Sequence, residues 1–386
     1  MNLSGPAYLK LSLSLTLLMV GTVAAINYVV DPCGIYHAGK SWDWTRSRPE
    51  ILELAFINKA HAVEQAQADI LLLGNSRVAQ GLDPRSAALP ARAYNLGIPG
   101  SGMVEQWRYL QHAGAAHRLT TVVLGLDIEN FGADRKNKPM FSDDRLLVQA
   151  DGTPTAFLPH LFADIGPTLF SWSTLKFSYQ TLRAPRALDL KFPEGFEENA
   201  PKIFEHMDLA SSVLAANKMW VAGAEIGDFR GKDGRAPQMD AFGNIVAYCN
   251  QHHLRLLIFV QPLHAALMDK LTDDWPRYED WMRTLAAQST TAELWDFTGY
   301  NSISTEAFPL PTDKTNGMRF YWEGSHYRKI VGDLVLERLF AGTGPANFGQ
   351  RVTSANVDQD LARLQAEKQA WHAQGQAVPM DSPATK

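Results

Sequence analysis

The chain has 386 residues, 46% of them hydrophobic and 10% aromatic, with a formal net charge of −5. That is enough apolar material for a substantial core, and it excludes an intrinsically disordered chain. No Lys/Arg stripe runs through it, so the electrostatic footprint of a nucleic-acid binder is missing; its two cysteines, Cys33 and Cys249, form neither a disulfide framework nor a Cys-x-x-Cys zinc spacing.

Leu11 to Val30 is an uncharged run preceded by Lys10, long enough to cross a bilayer. It reads as an export signal. Val23-Ala-Ala25 offers a signal-peptidase site, but the run exceeds the usual core of a cleaved signal, so residues 1–30 are expected to remain as a signal-anchor. Lys10 before the run and Lys40, Arg46 and Arg48 after it leave the positive-inside count undecided. Likeness to a signal-anchor places the body on the periplasmic, extracytoplasmic side of the inner membrane. Cys33, just beyond, is read as a loop thiol, with lipidation as the alternative.

Residues 31–68 form a connecting segment with a helix expected over Pro49–Ala66. Three short apolar runs follow, Asp69–Gly74, Ala93–Gly97 and Thr120–Asp127, with a helical stretch from Met103 to His117. Leu254–Val260 and Ala292–Phe297 continue the series, separated by a helical stretch from Ala265 to Gln288. Continuous apolar runs alternating with helices predict an α/β fold, a doubly wound, mainly parallel sheet flanked by helices, over 69–344. Residues of about 132–240 break the alternation and are expected to form an inserted cap bordering a site, or a small domain of their own. Residues 345–386 are expected to form a polar C-terminal helix and tail.

Ser76 follows directly on the first run, in Gly74-Asn-Ser-Arg77, where a turn lifts its hydroxyl above the carboxyl edge of the sheet, the edge at which open α/β sheets bind ligands. His326 lies near the other end of the chain, at the head of the helix-like run Tyr327–Phe340, and Glu323 precedes it by three residues. A hydroxyl becomes a useful nucleophile when a histidine takes its proton and a carboxylate orients that histidine. Ser76, His326 and Glu323 are therefore the candidate nucleophile, base and orienter. Gly97-Ile-Pro-Gly-Ser-Gly102 has the wrong spacing for a dinucleotide loop and is interrupted by Pro99. His252, His253 and His264 make no metal set with carboxylates at useful spacing, and His264 is read as a satisfied loop histidine. No metal or cofactor is expected.

Gly74-Asn-Ser76, Asn95-Leu-Gly97-Ile-Pro-Gly100 and Glu323-Gly-Ser-His326 resemble the first, second and fifth blocks of the SGNH, or GDSL-like, hydrolases. The resemblance covers about 69–127 and 254–340. It implies Ser76 as nucleophile, His326 as base and Gly97, beside Asn95, as an oxyanion donor. Asn75 and Glu323 are mild departures from that family's aspartates. Asp127 is a larger one, standing where the third block has an asparagine that holds the oxyanion. An ionised Asp127 would repel an oxyanion, so it points elsewhere, is protonated, or yields the role to Asn130.

Exported SGNH-like proteins of this build resemble partners of membrane-bound O-acyltransferases in polysaccharide acetylation. The resemblance implies a membrane-anchored acyltransferase or esterase acting on O-acyl, above all O-acetyl, groups of an envelope polysaccharide through an acyl-Ser76 intermediate. A catalytically idle glycan-binding subunit and a lipid esterase are the alternatives. Aromatic residues such as Trp322 and Tyr327 are candidates to stack on sugar rings, or are simply core.

Overall fold

A computed structural model describes residues 4–37, 48, 54–184, 193–197, 209–221, 224, 226–231, 234–309 and 317–375. Lys40, Arg46, the start of the connecting helix at Pro49 and the tail from residue 376 lie outside the described residues. In chain order the elements are α1 (Gly5–Val30), α2 (Ala55–Gln65), β1 (Ile70–Gly74), α3 (Ser76–Gly81), β2 (Ala93–Gly97), α4 (Met103–Ala116), β3 (Thr121–Leu126), α5 (Phe157–Phe162), α6 (Ile165–Leu169) and α7 (Trp172–Arg183). They continue with α8 (Leu209–Trp220), α9 (Pro237–Gln251), β4 (Arg255–Val260), α10 (Ala265–Leu271), α11 (Trp275–Gln288), β5 (Glu293–Asp296), α12 (Lys329–Ala341), β6 (Gln350–Val352) and α13 (Val357–Ala373).

The chain divides into two compact units, Met1–Gln65 with Met140–Lys191, and Ala66–Pro139 with Phe192–Lys386. The insertion expected as one body over 132–240 is thus split: α5, α6 and α7 belong with the N-terminal helix, and α8 belongs with the sheet.

In the N-terminal unit, α1 is long and apolar enough to cross a membrane, and its leucines are exposed. The helix ends at Asp31, which adopts left-handed backbone (φ 48°). Its carboxylate accepts the amides of Ile35 at 2.9 Å and of Tyr36 and His37 at 3.1 Å, so the turn out of the helix is closed by its own capping residue. Cys33 is buried beside Leu54 and Ile57, and burial pushes its thiol up to about 12, which agrees with a loop thiol.

The other unit is built on a six-stranded sheet in the order β2-β1-β3-β4-β5-β6. The first five strands are parallel and β6 runs antiparallel to β5. The central runs are buried throughout, which is why Ile70-Leu-Leu-Leu73 and Val122-Val-Leu124 show no alternation. α4 packs on α9 and β1, whereas α3 packs on α12, β1 and β2.

Strand order reverses at β1, with β2 on one side and β3 on the other, so a crevice opens at the carboxyl ends of β1 and β3. Ser76 and Asp127 stand at those two ends. Gly97 faces Ala79 across register partner Gly74; a Cβ there would sit 2.4 Å from the Ala79 nitrogen, so only glycine lets α3 lie this close.

Two expectations change in detail. The helical stretch Ala265–Gln288 breaks into α10 and α11 because Asp274 caps a new helix, accepting from the Arg277 amide at 3.3 Å, with Pro276 in its first turn. The C-terminal helix expected after 345 is α13, which buries Leu361, Leu364 and Trp371, and it is preceded by an unexpected strand, β6, that joins the sheet.

Candidate active site

Asn75 ends β1 and caps α3, its side-chain oxygen accepting the Arg77 amide at 3.0 Å. This cap fixes the turn that presents Ser76, which is half-buried while its neighbours are buried. The Ser76 hydroxyl donates to His326 Nε2 at 2.9 Å. His326 Nδ1 donates to Glu323 Oε1, which sets the tautomer in which Nε2 is the acceptor for the Ser76 hydroxyl.

Glu323 is itself held in place. Its two oxygens accept the Ser325 amide at 2.7 Å and the His326 amide at 2.9 Å. Burial raises its pKa, but the His326 ring and these amides outweigh burial and hold the carboxyl below its ordinary value. His326 does not head a helix as expected; α12 begins only at Lys329. The acid–base segment is a tight loop between Tyr321 and Tyr327, closed by the Trp322 amide on the His326 carbonyl at 2.8 Å.

Arg77 is the residue that the sequence reading passed over. It is buried, and it ties three segments together. One guanidinium nitrogen pairs with Asp127 at 2.8 Å, another with Glu129 at 2.8 Å, and the fork also donates to the Ser325 carbonyl (2.9 Å) and hydroxyl (2.7 Å). Burial disfavours its charge, yet the Asp127 and Glu129 carboxylates more than offset that and raise its pKa.

Asp127 therefore has a partner other than an oxyanion. Besides Arg77, it accepts from Asn75 Nδ2 at 2.6 Å and from Gln261 Nε2 at 2.5 Å. Gln261 also donates to Asn75 Oδ1 at 3.1 Å and accepts from the Tyr327 hydroxyl at 3.1 Å. The carboxylate is the anchor of a network beneath the turn that carries Ser76. Tyr327, fully buried in that network, is unavailable for stacking on a sugar. Gln261 had a visible signal: like Asn75 and Asp127, it is the polar residue immediately after an apolar strand.

Asn95 and Gly97 take roles different from those expected. The Asn95 amide donates to the Val78 and Leu82 carbonyls at 2.8 and 2.7 Å, clamping α3, while its oxygen accepts the Gly97 N–H at 2.8 Å. The Gly97 amide is thus engaged inside β2, and Gly97 serves packing in this geometry. Asn130 sits in the turn after β3, buried, with its backbone N–H on the Asp127 carbonyl at 3.0 Å and, among the described residues, no hydrogen-bond partner for its side-chain Nδ2. An unpaired buried donor at this edge costs about 1–3 kcal/mol.

His264 caps α10, with Nδ1 accepting from the Ala266 amide (3.2 Å) and Nε2 donating to the Glu306 carbonyl (2.7 Å). Burial lowers its pKa to about 4, so it is a neutral, satisfied histidine at ordinary pH. Among the described residues no group of His, Cys, Asp or Glu side chains is arranged to hold a metal ion.

No protein-family model matches the chain, and no curated protein matches it either.

Proposed function

We propose that this chain is an SGNH-like serine acyltransferase or esterase. The observation that carries the reading is the continuous chain Ser76–His326–Glu323, with the hydroxyl 2.9 Å from the imidazole. In the first half-reaction Ser76 Oγ attacks the acyl carbonyl carbon as His326 Nε2 takes its proton; the tetrahedral intermediate then expels the leaving oxygen, which receives that proton from His326. Acyl-Ser76 remains. A water or a sugar hydroxyl gives its proton to His326 and attacks the ester, and collapse returns the proton to Ser76. The oxyanion is assigned to the Ser76 amide, at a helix start where N–H groups have no intrahelical partner, and to Asn130 Nδ2.

The apolar α1 supports membrane anchoring; the site outside the cytoplasm, the O-acetylated envelope polysaccharide as substrate and a membrane-bound O-acyltransferase as partner rest on the resemblance alone. Intact-mass spectrometry after incubation with an acetyl ester tests this: an acetyl adduct on Ser76, discharged faster when glycan acceptor is added, is the expected result. Absence of any adduct, together with no fluorophosphonate labelling of folded protein, rejects it. The engaged Gly97 amide favours one second reading, an idle glycan-binding subunit, and that reading predicts this negative result with glycan binding retained.

A further inference from the structure

On α7 the fully buried stripe is polar, and much of the apolar surface of α5 to α7 faces outward. On α7 the buried residues are Thr174, Ser178 and Thr181, spaced along one stripe, while Trp172, Lys176, Tyr179, Leu182 and Arg183 are exposed. On α5 and the turn after α6, Phe157, Phe162 and Phe170 are likewise exposed. Among the described residues, every exposed large apolar side chain other than Met219 and Ile330 belongs to the N-terminal unit. An amphipathic helix in water turns its apolar stripe inward. α7 buries its hydroxyls fully, leaves Leu175 and Phe177 half-buried, and turns Trp172, Tyr179 and Leu182 outward.

The polar inner stripe has a defined partner. Asn27, the buried polar residue near the end of α1, donates to the Leu169 carbonyl at 2.9 Å and the Ser171 carbonyl at 3.2 Å, and it accepts from the Ser178 hydroxyl at 2.9 Å. Small hydroxyl residues and interhelical hydrogen bonds are how helices join inside lipid, where apolar side chains gain nothing by leaving it. Asn27 is 16 positions beyond Leu11, where the apolar run begins. At about 1.5 Å per residue that is roughly 24 Å, against a hydrocarbon core of about 30 Å, so the contact falls in the last part of the crossing.

We propose that α5 to α7 lie in the membrane interface beside the end of α1, with Phe157, Phe162, Phe170, Trp172 and Tyr179 seated among the lipid headgroups and upper acyl chains. The surface is continuous with α1 through Asn27, which is what assigns lipid as its occupant. Tryptophan and tyrosine prefer that depth because one edge is apolar and the other hydrogen-bonds. The charge pattern fits anionic headgroups. Between 157 and 183 the one carboxylate, Asp164, is buried against Arg145, while Lys176 and Arg183 are exposed on the aromatic side of α7. The inference rests on α1 being a membrane helix and does not depend on the chemistry assigned to Ser76.

The test uses the full chain in phosphatidylcholine–phosphatidylglycerol liposomes, with an environment-sensitive dye on Trp172→Cys, Phe162→Cys or, as the embedded reference, Leu15→Cys. Cys33 and Cys249 are buried with thiols pushed up to about 12, so they react slowly with the dye. The expected result is blue-shifted emission at Trp172 and Phe162, quenched by lipids carrying a doxyl group near the headgroup and protected from aqueous iodide. Water-like emission at both positions overturns the proposal while a quenched Leu15 keeps the anchor. Blue-shifted emission without lipid quenching also overturns it, since protein would then cover the surface. An unquenched Leu15 removes the anchor and the inference with it.

Discussion

In the sheet unit Leu72 and Val123 are buried and the charged residues gather where strands end; in the N-terminal unit the buried residues of α7 are hydroxyls and the outward ones are Trp172, Tyr179 and Leu182. Both arrangements follow one rule, that a group faces the medium that costs it least. The difference lies in the medium. Water makes Leu72 go inside the sheet unit; if lipid lies beside the N-terminal unit, as proposed above, it would make Asn27 and Ser178 turn to each other in the same way. The strand-end charges of the sheet unit answer one another in a network that engages neither the Ser76 hydroxyl nor Asn130 Nδ2.

The largest effect that would break this picture is on chemistry. Ser76→Ala is expected to abolish fluorophosphonate labelling and lower acyl transfer by on the order of 10⁴-fold or more, with unchanged folding. His326→Gln should do nearly the same, because the two act as one unit. Transfer that survives either substitution would remove the triad from the mechanism.

Arg77 comes next. Arg77→Met leaves the Asp127 carboxylate buried beside neutral donors alone, at a cost of about 3–5 kcal/mol, and frees the Ser325 backbone that shapes the base loop. Hydrogen exchange at the β1 and β3 amides measures the loss. Adding Asp127→Asn should restore part of that protection, and no recovery in the double variant would show that the charge pair is not what Arg77 supplies.

Asn130→Ala sharpens the comparison at the point where the network is open. If Nδ2 holds the oxyanion, turnover should fall by about 10²–10³-fold with substrate affinity little changed, and stability should hold or rise because an unpaired buried donor is removed. A normal rate constant would return the role to another donor.

Much of this was legible in the chain. The apolar runs located five strands because a strand buried on both faces must be apolar throughout, and the residues directly after β1 and β3 marked the working edge. Ser76, Glu323 and His326 could be named because their chemistry requires a fixed set of side-chain types. The roles of Asn95 and Gly97 were not legible, since a short motif does not say where a side-chain amide points; Asn95 turns onto the α3 carbonyls instead. Arg77 was missed because its worth lies in three partners distant in sequence. The split of the insertion was hidden for a related reason: α7 is assigned by what it packs on, and Thr174, Ser178 and Thr181 look like a solvated face until Asn27 is seen opposite them.

The smallest effect concerns the inward polar contacts of the N-terminal unit. Asp164 is buried there and accepts from Arg145 at 2.8 and 2.7 Å and from His61 at 2.8 Å. Burial raises its pKa, but the His61 and Arg145 hydrogen bonds and charges prevail and bring the carboxyl from its ordinary 3.8 down to about 2. A depressed folded value means that the stabilisation is present above the unfolded pKa and disappears as pH falls through the folded one; for this shift it is roughly 2 kcal/mol at neutral pH. Asp164→Asn should therefore lower hydrogen-exchange protection of α6 and α7 at neutral pH, and the gap from the native chain should close between about pH 4 and pH 2. A gap that stays constant across that window would mean that the buried contact acts through shape and uncharged hydrogen bonding rather than charge, as the hydroxyls of α7 do.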